Sequence, residues 1–318
     1  MNFIVKKTVE LSEDEQNRIL AIFNTVFKII RTKDHFRNQF LKTVLGYSYH
    51  SLLYDGNLIV GCYSYIPSYY KINEIKYLSA LGLDLMICEE YRGKGYLKSM
   101  FSVCLDYMRN DGIIFIITFP NDISYPGFIK SKLFHDFGNL LIYALPYRIG
   151  GILSAFKILN WLSIFLVNAF IFFVSLFANR KIYNFFIEKE AETYNKTRYS
   201  NQENEYHIEQ SKGDGFVYRI MDYEGVKAAF LIDVFEKSPR NFCIAIKYII
   251  KNHHKEFDIL LYVGKLPFKF HGLMKVPQYF SPKNFHFLGQ LLKGDKINSD
   301  LFFTLNSWDI NLSNYDLL

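Results

Sequence analysis

Residues 78–119 constrain the fold of this chain more than any other stretch. "LSALGLDLMIC" (78–88) has the character of a buried strand, "EEYRGKGYLKSMF" (89–101) turns into a helix that Asp111-Gly112 ends near Asn110, and "IIFIITF" (113–119) is a continuous, β-branched apolar run. A run of that kind suits a strand buried on both faces. Strand, helix and strand in one sheet require a parallel pair joined by a right-handed crossover.

The surrounding segments alternate in the same way. "FIVKKTV" is a strand, and Ser12 with Glu15 three residues on forms a capping box for a helix whose apolar positions are Ile19, Ile22, Phe23, Val26 and Phe27. "DHFRNQFLKTVLG" predicts a second helix closed by Gly46, and Asp55-Gly56 between apolar runs predicts a hairpin. "PNDISYPGFIKSKL" is a loop and short helix, and "LLIYALPYR" a last strand of this half. Further on, "FVYRIM", "KAAFLIDVF" and "FDILLYVG" are strands, "SPRNFCIAIKYIIKNH" is a helix with Ser238 as N-cap and Pro239 at its first position, and "SDLFFTLNSWDI" is expected as a late strand. Strand, helix, strand thus recurs in the second half, with slight sequence identity to the first. The 318 residues, half of them apolar, suffice for two domains. The expected organisation is 1–148, an apolar helical segment 149–190, and 191–318.

The turn holding Arg92, Gly93, Lys94 and Gly95 has two readings. A strand running into a helix leaves backbone N–H groups at the helix N-terminus, where the dipole favours an anion. Glycines let a ligand approach the backbone, and Arg92 and Lys94 add charge. The alternative is a tight connection with basic residues in solvent.

The order of elements, together with "EEYRGKGYLKSMF", resembles the GNAT superfamily of N-acetyltransferases over about residues 1–148. The resemblance implies a mixed, largely antiparallel α/β sheet with a central parallel strand pair flanked by helices. Residues 191–318 are then expected to be a second, degenerate GNAT-like α/β domain, since "VFEKSPRNFC" (234–243) has no glycine where a pyrophosphate turn should lie. The architecture is similar to that of tandem members, the peptidoglycan aminoacyl transferases among them. In the family's pyrophosphate loop, Arg92, Gly93, Lys94, Gly95, Tyr96 and Leu97 take the successive positions; Leu97 departs from a small last residue. Asn121 matches the family's asparagine that hydrogen-bonds the pantetheine arm, and Phe128 stands where many members carry a tyrosine acid.

The implied chemistry is acyl transfer from acetyl-CoA to an amine. Backbone donors near Ile87 polarise the thioester carbonyl, Asp84 serves as base or orients the amine, and Tyr125 protonates the leaving thiolate in place of Phe128. Each has a plain structural counterpart: Asp84 as a paired carboxylate, Tyr125 as packing, Asn121 as a turn residue beside Pro120. The expected acceptor is a small-molecule amine such as an amino sugar of surface-glycan biosynthesis. Two other classes stay open, an aminoacyl transferase using aminoacyl-tRNA and a non-catalytic membrane-attached module that binds acyl-CoA.

Composition narrows the partners. The formal charge of +6 is a mild bias, and no dense Lys/Arg run with interleaved aromatics points to nucleic acid. Cys62, Cys88, Cys104 and Cys243 are scattered without C-x-x-C, as in a reduced, cytoplasmic chain, and the eight histidines show no metal-binding spacing. The N-terminus has no apolar signal region.

Residues 158–178, "ILNWLSIFLVNAFIFFVSLFA", run 21 residues without a charge and meet the length criterion for a membrane span. Lys157, Asn160, Ser163, Asn168 and Ser175 fall within an arc of roughly 140° at 100° per residue. A stripe of that kind suits a membrane-surface helix or one packed between domains, whereas a span would put the two domains on opposite sides. Peripheral contact with the inner face of the cell membrane is the expectation carried forward.

Overall fold

The computed structural model describes residues 1–199, 206–211, 214–281 and 283–315. The first elements are β1 (Asn2–Lys7), α1 (Glu13–Phe27), α2 (Lys33–Leu41), β2 (Tyr49–Asp55), β3 (Leu58–Ile72) and β4 (Ile75–Ile87). They are followed by α3 (Tyr96–Asn110), β5 (Phe115–Thr118), α4 (Tyr125–Ser131), β6 (His135–Asn139), β7 (Leu141–Pro146), α5 (Ile149–Ile152) and α6 (Asn160–Leu176). The remainder holds β8 (Ile187–Lys189), α7 (Ala191–Arg198), β9 (His207–Ser211), β10 (Asp214–Tyr223), β11 (Val226–Val234) and α8 (Pro239–His253). The last are β12 (Ile259–Gly264), β13 (Met274–Lys275), β14 (His286–Leu291) and α9 (Ser299–Phe302).

These elements form two compact units. One comprises Met1–Asn139, Phe186–Asn201 and Phe285–Trp308; the other comprises Leu140–Phe185, Gln202–Asn284 and Asp309–Leu318.

The sheet of the first unit runs β1-β2-β3-β4-β5-β14-β6, with β8 paired to the far half of β3. Strands β4 and β5 are parallel and are joined through α3, as the sequence requires. The Ser12–Glu15 capping box starts α1, and Asp55-Gly56 makes the β2–β3 turn with Gly56 at φ +57°. Helices α1 and α2 cover one face through Ile19, Phe23, Phe36 and Phe40. Helix α3 covers the other through Met100, Phe101, Cys104 and Met108, joined by Phe128 of α4. Helix α2 ends at Leu41, short of the expected stop at Gly46, which sits in the following turn.

The sheet of the second unit runs β13-β7-β12-β11-β10-β9. Here too a parallel pair, β11 with β12, is bridged by a long helix, α8, with Ser238 accepting from Asn241 N–H as N-cap and Pro239 at its first position. Phe242, Ile246 and Ile249 of α8 form the core with Leu231, Leu260 and Tyr262 of the sheet.

Two strands differ from the sequence reading. "LLIYALPYR" was expected to complete the first sheet, but β7 lies antiparallel to β12 in the second unit. Its place next to β5 is taken by β14, which the sequence reading did not assign as a strand. "SDLFFTLNSWDI" is also no strand. Asn298 caps the short helix α9, and a turn follows that buries Trp308 against Tyr70, Phe115 and Phe302. The first unit therefore draws on three separate stretches of chain rather than on 1–148 alone.

Candidate active site

The parallel strands β4 and β5 stay together only as far as Gly82 and Thr118. Beyond them β5 ends, while β4 continues to Ile87 paired to β3 alone. At the parting point the register between β3 and β4 slips between Cys62 and Ser64, and Asp84 sits in the left-handed region at φ +55°. An extra residue in a ladder bends and twists its strand, which turns the end of β4 away. The fork is held by Tyr63, whose hydroxyl donates to Thr118 Oγ1 at 2.8 Å, and by Thr118, which donates to the Gly82 carbonyl at 3.0 Å. Gly82 is required here because a Cβ would sit 2.1 Å from the Tyr63 hydroxyl.

Past the fork, β4 has an unpaired edge. Cys88 N–H donates to the Val60 carbonyl at 2.8 Å, so the neighbouring Ile87–Gly61 pair is the kind whose peptide groups point away from each other. The Ile87 N–H is thus aimed at the opened side. Its carbonyl accepts from Arg92 Nε at 2.8 Å, which anchors Arg92 at the end of the strand.

The Arg92–Leu97 turn follows directly. Gly93 and Gly95 have φ of +74° and +82°, and a Cβ at either would meet open space. Glycine is demanded by backbone conformation there, and the exposed backbone is left open to a ligand. Gly95 begins α3, and no side chain caps the helix. The first N–H groups of a helix have no partner within it, so this end of a 15-residue helix presents free donors and a positive dipole end. Lys94 lies over the Tyr91 ring at 5.2 Å. Leu97, large where a small residue was expected, is accommodated by a glycine of another helix: a Cβ on Gly127 of α4 would lie 2.6 Å from Leu97 Cδ1. These features fit a bound acyl-CoA, with the fork for its extended arm and the turn for its diphosphate.

The remaining candidates are held as follows. Asp84 is engaged by Arg31 at 2.5 Å, and Arg31 lies over the Phe23 ring at 3.6 Å. The carboxylate therefore faces the α1–α2 side of the sheet. Asn121 accepts from both the N–H and the hydroxyl of Ser124 at 2.9 Å, the turn role weighed for it beside Pro120. Its oxygen is used in this way, and its amide group is what it has to offer a ligand. Phe128 is buried against Tyr63 and Phe101. Tyr125, half-buried at the start of α4, donates to Asp136 at 2.5 Å, and that bond to a carboxylate raises its pKa above the usual phenol value. The His286 ring stacks on Tyr125 with centroids 3.7 Å apart, and its Nε2 lies 2.8 Å from Asp122. Sequence reasoning missed Arg31, Asp122, Asp136 and His286. His286 arrives on β14, and nothing local marks a residue brought in from so far along the chain.

The corresponding fork in the second unit is closed. The β10–β11 register also slips, between Val217 and Tyr218, and β11 pairs with β12 only from Ala228 to Phe230. Beyond that the chain's own residues 310–314 occupy the gap. Gly264 bridges Asn311, Lys265 N–H donates to the Ile310 carbonyl at 2.8 Å, and Asn311 Nδ2 donates to Asp233 at 2.7 Å. Asp233 and Asp309 in turn hold the buried Lys237, at 3.3 and 2.7 Å.

Residues 8–132 match the family model described as an acetyltransferase (GNAT) domain. Over these residues the chain is similar to that domain. Solved structures extend the likeness in fold to both units. Eis1 from Mycobacterium abscessus aligns with a TM-score of 0.58 at 9% identity, covering 96% of this chain and 76% of its own. A conserved protein of unknown function from Enterococcus faecalis V583, described as a probable N-acyltransferase, gives 0.56 at 12% identity, covering 92% and 73%. A GCN5-related N-acetyltransferase from Anabaena variabilis gives 0.57 at 10% identity, covering 91% and 73%. No curated protein matches the sequence. At these identities the solved structures establish a shared fold, and the GNAT family uses acyl-CoA donors.

Proposed function

We propose that this protein transfers an acetyl group from acetyl-CoA to a primary amine, with an amino sugar of surface-glycan biosynthesis as the acceptor to test first. The observation that carries the reading is the open β4–β5 fork ending at an uncapped, glycine-bearing helix start. Bound there, acetyl-CoA supplies an activated thioester. The chain's own residues do the rest. The N–H groups of Gly93 through Leu97, with Arg92 and Lys94, hold the diphosphate. The Ile87 N–H donates to the thioester oxygen, where negative charge develops as the amine attacks. Asn121 offers its amide to the extended arm. Asp84 is the carboxylate presented to the acceptor amine, as base or as the group that orients it. Tyr125 is still protonated at neutral pH and delivers its proton to the departing thiolate, with Asp136 and His286 fixing its ring.

A second reading, acyl-CoA binding without turnover, draws on one observation: Asp84 is already committed to Arg31. Calorimetry tests the binding step common to both. Wild-type protein should bind acetyl-CoA, Gly95→Trp should abolish binding, and Arg92→Ala should weaken it. Thiol release with a panel of amines then separates the two readings. Folded wild-type protein that binds no acetyl-CoA would sink both.

A further inference from the structure

We propose that helix α6 seats the second unit on the surface of an anionic phospholipid bilayer, lying along it rather than crossing it. This inference stands apart from acyl transfer. The 23 residues Ser154–Leu176 form a helix long and apolar enough to span a membrane. The way it is packed argues otherwise. Ile164, Val167, Ile171, Val174 and Ala178 lie against the core of their own unit, and Ile171 is 2% exposed. At 100° per residue these positions share one arc of about 80°. A helix fixed along its length to a folded unit cannot be surrounded by lipid.

Three of the five stripe residues, Asn160, Ser163 and Ser175, make their hydrogen bonds on the packed side, while Lys157 and Asn168 are exposed. Asn160 accepts from Gly150 N–H at 2.6 Å, Ser163 donates to the Tyr147 carbonyl at 3.0 Å, and Lys247 of α8 donates to Ser175 at 2.5 Å. The opposite arc, about 160° wide by the same geometry, is left to aromatic and aliphatic side chains. Trp161 is 68% exposed, Phe165 65%, Phe173 59% and Phe177 86%, with Phe172 and Leu176 between them. Monomeric soluble proteins rarely expose a contiguous apolar surface of this kind.

Charge decides the occupant. Lys157 lies in the first turn of this segment, ahead of α6, and Arg180 and Lys181 follow it, all exposed, while Lys247 lies alongside with its ammonium 5.7 Å from the Phe172 ring. At the N-terminal end of the helix a cleft of about 530 Å³ is lined by Arg148, Lys157, Lys227 and Lys255 against Asp222 and Asp258. Asp258 is taken by Arg148 at 2.9 Å. Four cations against two carboxylates leave two positive charges in excess, in a cleft suited to a phosphate headgroup. An apolar face rimmed by cations matches acyl chains beneath anionic headgroups. It matches a second copy of this equally cationic rim poorly.

The test uses the full chain with vesicles of phosphatidylcholine, with and without phosphatidylglycerol. The protein should co-sediment with the anionic vesicles, and added salt should release it. Of the two tryptophans, Trp308 is buried, so the emission shift on binding should come from Trp161 and vanish in Trp161→Phe. Phe165→Ser/Phe173→Ser should weaken binding by more than about tenfold. Lys157→Glu/Lys255→Glu should remove the preference for phosphatidylglycerol. Far-UV circular dichroism and a cooperative urea transition report that these variants are folded. Folded wild-type protein that ignores both vesicle types, or that self-associates through the Phe165–Phe173 face instead, would overturn the proposal.

Discussion

Thr118 Oγ1 donates to the Gly82 carbonyl across the last paired position of the two parallel strands, and it accepts from Tyr63 in the same place. One hydroxyl thereby closes the ladder and marks where it opens. Thr118→Val keeps the shape but leaves a buried phenol and a buried carbonyl without partners. A cost of about 1–3 kcal/mol is expected. Tyr63→Phe/Thr118→Val should cost less than the sum of the single changes, because the second change removes one of the stranded groups. Urea unfolding of the four proteins checks this, and strict additivity would count against the coupling.

Titration calorimetry should return one acetyl-CoA per chain. The first unit has an open fork, whereas that of the second is filled by Ile310 and Asn311. A stoichiometry of two would mean that the C-terminal segment gives way to ligand.

Tyr125→Phe should lower kcat by roughly a hundredfold while leaving KM nearly unchanged, as expected when a positioned acid is lost. If Tyr125 serves only to pack His286, kcat will not respond and thermal stability will.

Acid should destabilise the first unit in two stages. His50 is buried between Thr8 and Ser64 and stacked by Phe36, and burial pulls its pKa from about 6.5 to about 3. Below pH 6.5 the unfolded chain takes up a proton that the folded chain refuses. Stability therefore falls with pH, by up to about 1.4 kcal/mol per unit. Burial favours protonation of Glu15, but hydrogen bonds from Lys6, Tyr54 and the Ser12 N–H outweigh it and hold its pKa at about 2. Its contribution is present above pH 4.5 and is lost below that. Denaturation curves from pH 7 to 4 should show the first slope in wild-type protein and a flatter one in His50→Gln.

Local signals in the sequence carried much of the fold. The capping box at Ser12, the Asp55-Gly56 turn, the Ser238–Pro239 helix start and the apolar run of β5 are each decided by neighbouring residues, and each stands as expected. Register and partner choice are decided at a distance. β7 is apolar enough to sit beside either β5 or β12, and β14 is a six-residue run with no turn signal that fixes its neighbour. The 158–178 stripe was legible as a pattern, but its direction was not. A few hydroxyls and amides facing inward look the same in a sequence as the same groups facing water, and only the contacts of Asn160, Ser163 and Ser175 resolve it. Within the site, the Arg92–Leu97 turn was readable because glycines at positive φ leave a mark in sequence. Arg31 and His286 leave none, since each is defined by the carboxylate or ring it meets.

The placement of β14 also governs how this protein can be made. A ribosome releases β5 long before it releases residues 286–291, and until then the edge of β5 that will receive them stays bare. The sheet of the first unit cannot be completed by residues 1–139 alone. It waits for β14, so a nonsense mutation just ahead of residues 286–291 would disable a sheet whose other central strands had already been made.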